Sequence, residues 1–199
     1  MQYCLFDLDG TLYSRKTGLI DRLIGRTKVY MVERIGLDEN DTDATFEDYH
    51  GRFGSVLGGL IEEHEVDREE YLSFVFGVPV EEHLADNPDL RAMLESIEAQ
   101  KCVFSNSPRW HIENVLGCLG IRACFERLFD TEAVNYASKP DPGPYRTVLA
   151  LLGAPANECL FIDDKPPNVL TAQELGMIPV LLDENGRYKG DKLDFVISE

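Results

Sequence analysis

Three features of the chain predict an α/β fold built on a parallel sheet with crossover helices. Strand and helix patterns alternate from about residue 87 onward. Three apolar runs, Tyr3-Cys4-Leu5-Phe6, Lys101-Cys102-Val103-Phe104 and Cys159-Leu160-Phe161-Ile162, each end on a polar cluster. Residues 14–86 carry helical periodicity without a strand signal of similar quality, which reads as a helical cap inserted after the first strand.

The first run ends on two aspartates one residue apart, Asp7-Leu8-Asp9-Gly10-Thr11. Chance alone gives an Asp-x-Asp-Gly-Thr string in roughly two per thousand chains of this length. In the inserted segment the apolar positions are Leu19, Leu23, Val32 and Ile35, then Val56, Leu57, Leu60 and Ile61, with Gly51, Gly54, Gly58 and Gly59 interrupting the second set. Hinges are expected near Tyr13-Ser14 and around Asp86 to Pro88. The expected division is therefore a catalytic core of 1–13 and 87–199 and a cap of 14–86.

Asn87-Pro88 opens a helix whose apolar face is Leu90, Met93, Leu94 and Ile97. After the second run, Ser107-Pro108 reads as an N-cap followed by a first-turn proline. Ile112, Val115, Leu116 and Leu119 form the buried face of that helix, and Gly120 ends it. A further helix starts near Asp141-Pro142 and buries Tyr145, Val148, Leu149 and Leu152 before Gly153. The third run is continuously apolar, as a central strand covered on both faces requires. A helix from Val169 to Leu175, the run Ile178-Pro179-Val180-Leu181-Leu182 and the segment Phe195-Val196-Ile197 complete the pattern.

At 199 residues and 44% apolar, the chain can bury one core plus an inserted subdomain. No stretch approaches the ~20 apolar residues of a membrane helix, and no basic region precedes an apolar run at the N-terminus. A cytoplasmic protein beginning at Met1 is expected. The five cysteines, Cys4, Cys102, Cys118, Cys124 and Cys159, are scattered and lack Cys-x-x-Cys spacing, so buried thiols are expected rather than disulfides or zinc ligands. A net charge of −17, from 36 acidic and 19 basic residues, argues against a nucleic-acid polymer or an anionic membrane as partner. For an anionic small molecule, local cations must overcome that field.

In open α/β sheets ligands bind beyond the carboxyl ends of the strands, so Asp7, Ser105 and Asp163-Asp164 can converge there, with Lys139 reaching in from a loop. This constellation reads as a Mg²⁺-dependent phosphoryl-transfer site. Asp7 is the candidate nucleophile, and splitting ester hydrolysis through an aspartyl-phosphate eases both attack on an anion and departure of an alkoxide. Asp9 is the candidate acid and base, a role that calls for a pKa well above a free aspartate's. Mg²⁺ favours oxygen ligands and one or two carboxylates. Asp7 and Asp164 are the candidate carboxylates, the Asp9 carbonyl a third oxygen and Asp163 a water-mediated contact. Ser105 and Asn106 are candidate phosphate binders ahead of a helix start, and Lys139 is placed to bind both Asp7 and the phosphoryl oxygens. None of His50, His64, His83 and His111 has metal-ligand spacing, and no role is assigned to them. Arg109 and Trp110 are read as helix-surface residues. Arg15, Tyr49, Arg52 and Phe53 are candidate specificity contacts.

The four clusters resemble the haloacid dehalogenase superfamily of phosphatases: Asp7-Leu8-Asp9-Gly10-Thr11 is similar to its first motif, Ser105 to its second, Lys139 to its third and Asp163-Asp164 to its fourth. The resemblance implies a Rossmann-like core, a helical cap after the first strand and an aspartyl-phosphate intermediate. Within the superfamily the chain resembles the pyrimidine 5′-nucleotidase-like branch, through Val103-Phe104-Ser105-Asn106 with His111 and Leu119-Gly120-Ile121, through Phe161-Ile162-Asp163-Asp164 with Asn168, and through Tyr49 to Leu60 around Gly54 and Gly59-Leu60. That resemblance implies a nucleoside 5′-monophosphate, UMP or CMP, as substrate. Ser105 stands where the branch commonly has threonine, Lys165 where a small hydroxyl residue is usual, and Gly58 where it tends to carry arginine.

Three other readings fit parts of the pattern. A phosphatase of phosphoglycolate or a sugar phosphate, or a phosphomutase, uses the same residues. Dehalogenation needs Asp7 but neither Mg²⁺ nor an acid at the position of Asp9. A non-catalytic binding protein on the same fold is the alternative from a different class, disfavoured because every charged residue of the site is present. Oligomeric state is not legible.

Overall fold

The alternation of apolar residues along the first strand sets two opposite faces, and the rest of the chain is packed onto both. The computed structural model describes residues 1–198. Among these, β1 (Tyr3–Phe6), β2 (Gln100–Phe104), β3 (Arg127–Phe129), β4 (Cys159–Asp163), β5 (Ile178–Leu182) and β6 (Val196–Ile197) form one sheet of order β3-β2-β1-β4-β5-β6. Every pairing in it is parallel. Phe6 lies opposite Val103 of β2 on one side and Ile162 of β4 on the other. The α/β class and parallel sheet are as the sequence predicts. β3 has no counterpart in the expected elements, because a three-residue strand offers no periodicity to read.

Successive strand residues face opposite ways. Cys4 and Phe6 with Val103 and Leu128 build one core cluster, which Leu94, Ile112, Val115 and Leu116 cover. Leu5 with Cys102, Phe104, Cys159 and Phe161 builds the other, covered by Tyr145, Val148, Leu152 and Ala172. The covering residues come from α5 (Pro88–Glu95) and α6 (Arg109–Cys118) on the first face, and from α7 (Pro142–Leu152) and α8 (Pro166–Glu174) on the second. Asn87 caps α5 by accepting from the Leu90 N–H, and Asp141 caps α7 through the Gly143 N–H. Met93 departs from expectation: it stands 47% exposed, outside the arc that Leu94 buries. The five cysteines are free, with Cys4, Cys102 and Cys159 buried in the strands.

Between β1 and α5 the chain is helical: α1 (Leu19–Tyr30), continued by a wider turn to Ile35, then α2 (Thr42–Phe53), α3 (Val56–Glu63) and α4 (Arg68–Phe76). These helices share an apolar cluster of their own around Tyr30, Met31, Tyr49, Leu60, Tyr71 and Val75. Leu19 and Leu23 at the start of α1, and Val78, Val80 and Leu84 after α4, belong instead to the sheet-side cluster. Among the described residues no helix is long and apolar enough to cross a membrane.

Candidate active site

From β1 the chain runs outward through β2 to β3 and then returns across the sheet to β4 on the other side of β1, and the crevice at such a switch point is where the polar strand ends meet. Asp7 follows β1 directly, held by its N–H on the Ile162 carbonyl at 2.9 Å. Ser105 follows β2 and bonds the Phe129 carbonyl at 3.0 Å. Asp163 ends β4.

Lys139 enters this crevice from the loop before α7, its side chain 1% exposed. Its ammonium donates to Asp7 Oδ1 at 2.7 Å, to Asp163 Oδ2 at 2.8 Å and to the Phe104 carbonyl at 2.8 Å, so all three protons have acceptors. Burial pushes the lysine pKa down, but attraction to Asp163 and Asp7 outweighs it and the net shift is upward. Asn106 fixes the lysine backbone by a reciprocal pair: its Oδ1 accepts from the Lys139 N–H at 3.0 Å and its Nδ2 donates to the Lys139 carbonyl at 3.1 Å. The Asn106 side chain is therefore a clamp on Lys139. The Ser105 hydroxyl is buried and accepts from the Ser107 N–H at 3.1 Å.

The three carboxylates Asp7, Asp163 and Asp164 each offer an oxygen within 4.8 Å of the others. Their partners differ. Asp163 Oδ2 accepts from Lys139 and Asn168, each at 2.8 Å, and its Oδ1 accepts from the Lys165 N–H at 2.8 Å. Asp164 Oδ1 is buried without a hydrogen-bond partner, an arrangement costly for an anion unless a cation satisfies it. Burial first, then repulsion from Asp163, raise the Asp164 carboxyl to about 6. Burial, only partly offset by Lys139, likewise raises Asp7. A surplus of clustered carboxylate charge with an orphaned oxygen fits a hard divalent cation such as Mg²⁺. Gly10 makes room for this arrangement: its φ is +92°, and a Cβ there would meet Asp164 Oδ2 at 2.6 Å. Thr11 Oγ1 is another buried oxygen without a partner.

Asp9 differs from the expectation that its pKa lies high. Its Oδ1 accepts from the Tyr13 hydroxyl at 2.5 Å and its Oδ2 from the Ser107 hydroxyl at 2.6 Å, and the His111 Nε2 lies 3.5 Å from Oδ1. Burial alone raises the carboxyl, but His111, Ser107 and Tyr13 together hold it down at about 2. Donors to the ionised form favour that form. Ser107 is thus no N-cap: α6 has Pro108 at that position with no side-chain cap, and the serine hydroxyl turns to Asp9. Tyr13, expected at a hinge, and His111, to which no role is assigned from the sequence, also stand against Asp9. The ring of His111 is fully buried and packs edge-on against Phe76 at 4.9 Å.

Beyond Asp9 and Ser107 opens a cavity of about 200 Å³ lined by the helical segment, including Phe46, His50, Leu57 and Arg68, and by Tyr136 of the Lys139 loop. Of the expected specificity contacts, Tyr49, Arg52 and Phe53 do not line this cavity, and Arg15 lines a separate one beside Gly10 and Asp164. Tyr49 is buried and donates to Glu63 at 3.0 Å, Arg52 pairs with Asp48 and Glu63 and stacks on Phe53, and Arg15 pairs with Asp21. Arg109 is held by the Leu128 carbonyl and Glu113, and Trp110 is 41% exposed.

A family model for haloacid dehalogenase-like hydrolases matches residues 1–176. The chain is 26% identical over 204 aligned residues to "Phosphate metabolism protein 8" of Saccharomyces cerevisiae, covering 94% of this chain and 64% of that protein. Over 75 residues it is 51% identical to "Flavin mononucleotide hydrolase 1, chloroplatic" of Arabidopsis thaliana, covering 37% of this chain and 29% of that one. The chain thus spans less than two thirds of the length of these curated relatives. Its fold is similar to the crystal structure of a phosphatase of the same family from Thermococcus onnurineus, with TM-score 0.68 and 21% identity over 99% of this chain and 93% of that one.

Proposed function

Because the chain belongs to the haloacid dehalogenase-like hydrolase family, which its residues 1–176 match, we propose that it is a Mg²⁺-dependent phosphate monoester hydrolase acting through an aspartyl-phosphate on Asp7. The observation that carries this reading is the buried pairing of Asp7 with the Lys139 ammonium at 2.7 Å, beside the orphaned oxygen of Asp164. A nucleophile, a fixed cation and a place for a second cation are what an attack on a phosphoryl dianion requires.

Asp7 would attack phosphorus, forming the acyl-phosphate bond while the ester P–O bond breaks. The leaving alkoxide takes a proton from Asp9, and Asp9 then takes one from the water that attacks the phosphoryl group and frees Asp7. Held down at about 2 by its donors, the Asp9 carboxyl is ionised before substrate arrives. Its acid form is favoured when a dianionic phosphoryl group approaches, since like charge raises a carboxyl pKa. Lys139 holds Asp7 in place and offsets phosphoryl charge, while Asp163 and Asn106 fix Lys139. Asp7 and Asp164, with the Asp9 carbonyl, would hold Mg²⁺, Asp163 acting through water. Bound there, the ion supplies positive charge to the transferring phosphoryl oxygens.

In this reading 1–13 and 87–199 form the catalytic core and 14–86 a cap that excludes water over the site. A nucleoside 5′-monophosphate such as UMP or CMP is the proposed substrate, supported by the cavity's aromatic walls and by the relative named a flavin mononucleotide hydrolase, since flavin mononucleotide is also a phosphate ester of an alcohol that carries a heteroaromatic ring. The test is phosphate release, with and without Mg²⁺, from UMP, CMP, flavin mononucleotide, phosphoglycolate and sugar phosphates. Mg²⁺-dependent release with preference for the nucleotides supports the reading. Preference for phosphoglycolate or sugars removes the nucleotide substrate, and Mg²⁺-independent or absent release removes the mechanism.

A further inference from the structure

Both ring nitrogens of His111 are buried, and among the described residues neither Nδ1 nor Nε2 makes a hydrogen bond. The ring is fully enclosed, packed edge-on against Phe76 at 4.9 Å with Trp110 at 6.2 Å. A buried polar group without a partner costs stability, and an apolar side chain of similar volume would cost less there. A residue kept against that cost points to function.

Nε2 of His111 lies 3.5 Å from Asp9 Oδ1, beyond an ordinary N–H···O bond of about 2.9 Å. At rest Asp9 needs no third donor, since Tyr13 donates to Oδ1 at 2.5 Å and Ser107 to Oδ2 at 2.6 Å. Those same bonds stand in the way of proton transfer at a substrate oxygen. Of the three neighbours of the carboxylate only Ser107 lines the cavity with Asp9, which puts Oδ2 on the substrate side and Oδ1 behind it. Oδ2 must therefore leave Ser107 to work, and a shift of Oδ1 by about 0.6 Å then completes a bond from Nε2.

We propose that His111 is a positioning residue for Asp9: its Nε2–H takes up Oδ1 as Oδ2 turns from Ser107 to the substrate oxygen, and so holds the carboxylate in its working orientation. This role rests on the phosphatase reading and deepens it. The ring needs no change of charge, because an imidazole with its proton on Nε2 donates as it stands. No proton passes through it. The proton moves from Asp9 Oδ2 to the leaving oxygen, and later from the attacking water back to Oδ2.

The experiment compares kcat/KM of the wild type, H111Q, H111N and H111L on two esters. One is p-nitrophenyl phosphate; the other is whichever of UMP, CMP, flavin mononucleotide, phosphoglycolate and glucose 6-phosphate the wild type turns over fastest. kcat/KM covers the steps up to phosphorylated Asp7, in which an alkoxide needs the proton of Asp9 whereas p-nitrophenolate leaves without one. The amide nitrogen of Gln falls where the ring has Nε2, and that of Asn where it has Nδ1. H111L and H111N should lower the value for the alkyl ester by about tenfold or more, and H111Q should recover most of it. On p-nitrophenyl phosphate all three should stay within about twofold of the wild type, which also shows that they fold. An equal fall on both esters would mark His111 as a packing residue and overturn the proposal, as would an H111Q no better than H111N, or no fall on the alkyl ester. A wild type that hydrolyses neither ester overturns the phosphatase reading and this proposal with it, whereas an active wild type with unaltered variants removes His111 alone.

Discussion

The hydroxyl of Ser107 donates to Asp9 Oδ2 at 2.6 Å, joining residues 98 positions apart and, with Tyr13 on Oδ1, leaving each oxygen of that carboxylate with its own donor. A buried carboxylate loses more than one ordinary bond when such a donor is removed. Ser107→Ala should lower stability by about 1–2 kcal/mol at neutral pH. The Asp9 pKa is depressed in the folded chain to about 2, so the stabilisation is present above the unfolded value near 4 and is lost as pH falls through 2. Urea denaturation of wild type and variant between pH 7 and pH 3 checks this, with the difference narrowing at the acid end.

Asp164 has the opposite sign. Its folded carboxyl titrates at about 6, above the unfolded value, so the ionised form costs stability that grows as pH rises from 4 through 6. Asp164→Asn should raise stability by about 2 kcal/mol at pH 8 and by little at pH 4. Mg²⁺ should stabilise the wild type in a saturable way, and the same titration should leave the variant nearly unmoved. Thermal melts across pH and MgCl₂ concentration measure both effects.

Among the described residues Lys139 donates to two buried acids at once, Asp7 and Asp163, and it also satisfies the Phe104 carbonyl. Lys139→Met leaves those charges uncompensated and should cost about 3–5 kcal/mol. Removing one of the stranded acids as well, in Lys139→Met with Asp163→Asn, should recover part of that loss. Chemical denaturation of the single and double variants reads the coupling.

Gly10→Ala places a Cβ against Asp164 Oδ2 in a backbone with φ +92°. Strain and displacement of the carboxylate should act together. The expected result is destabilisation by about 1–3 kcal/mol with weakened Mg²⁺-induced stabilisation, followed by the same melts.

The sheet and the strand-end clusters were legible because each depends on local pattern. A continuous apolar run such as that ending at Ile162 is buried on both faces or not stable at all, and the acid that follows it must lie at the sheet edge. The partners of Asp9 were not legible for a physical reason. A serine ahead of Pro108 reads as a cap, and only the tertiary approach of α6 to the end of β1 turns its hydroxyl elsewhere. His111 was set aside for lacking metal-ligand spacing, a criterion blind to a buried ring beside a carboxylate. Which cap residues face the cavity is illegible for a similar reason. Tyr49 and Arg52 lie on a part of α2 that pairs with Glu63 of α3, whereas Phe46 and His50 line the cavity. No residue-level pattern separates those two neighbouring faces of one helix.

Two successive displacements at phosphorus, first by Asp7 and then by water, are the central claim, and the stereochemical course of hydrolysis tests it most directly. With a phosphorothioate monoester made chiral at phosphorus by sulfur, ¹⁶O and ¹⁸O and hydrolysed in ¹⁷O-labelled water, the account predicts net retention of configuration in the thiophosphate released by the wild type. Net inversion would show a single direct attack by water and would contradict the role of Asp7.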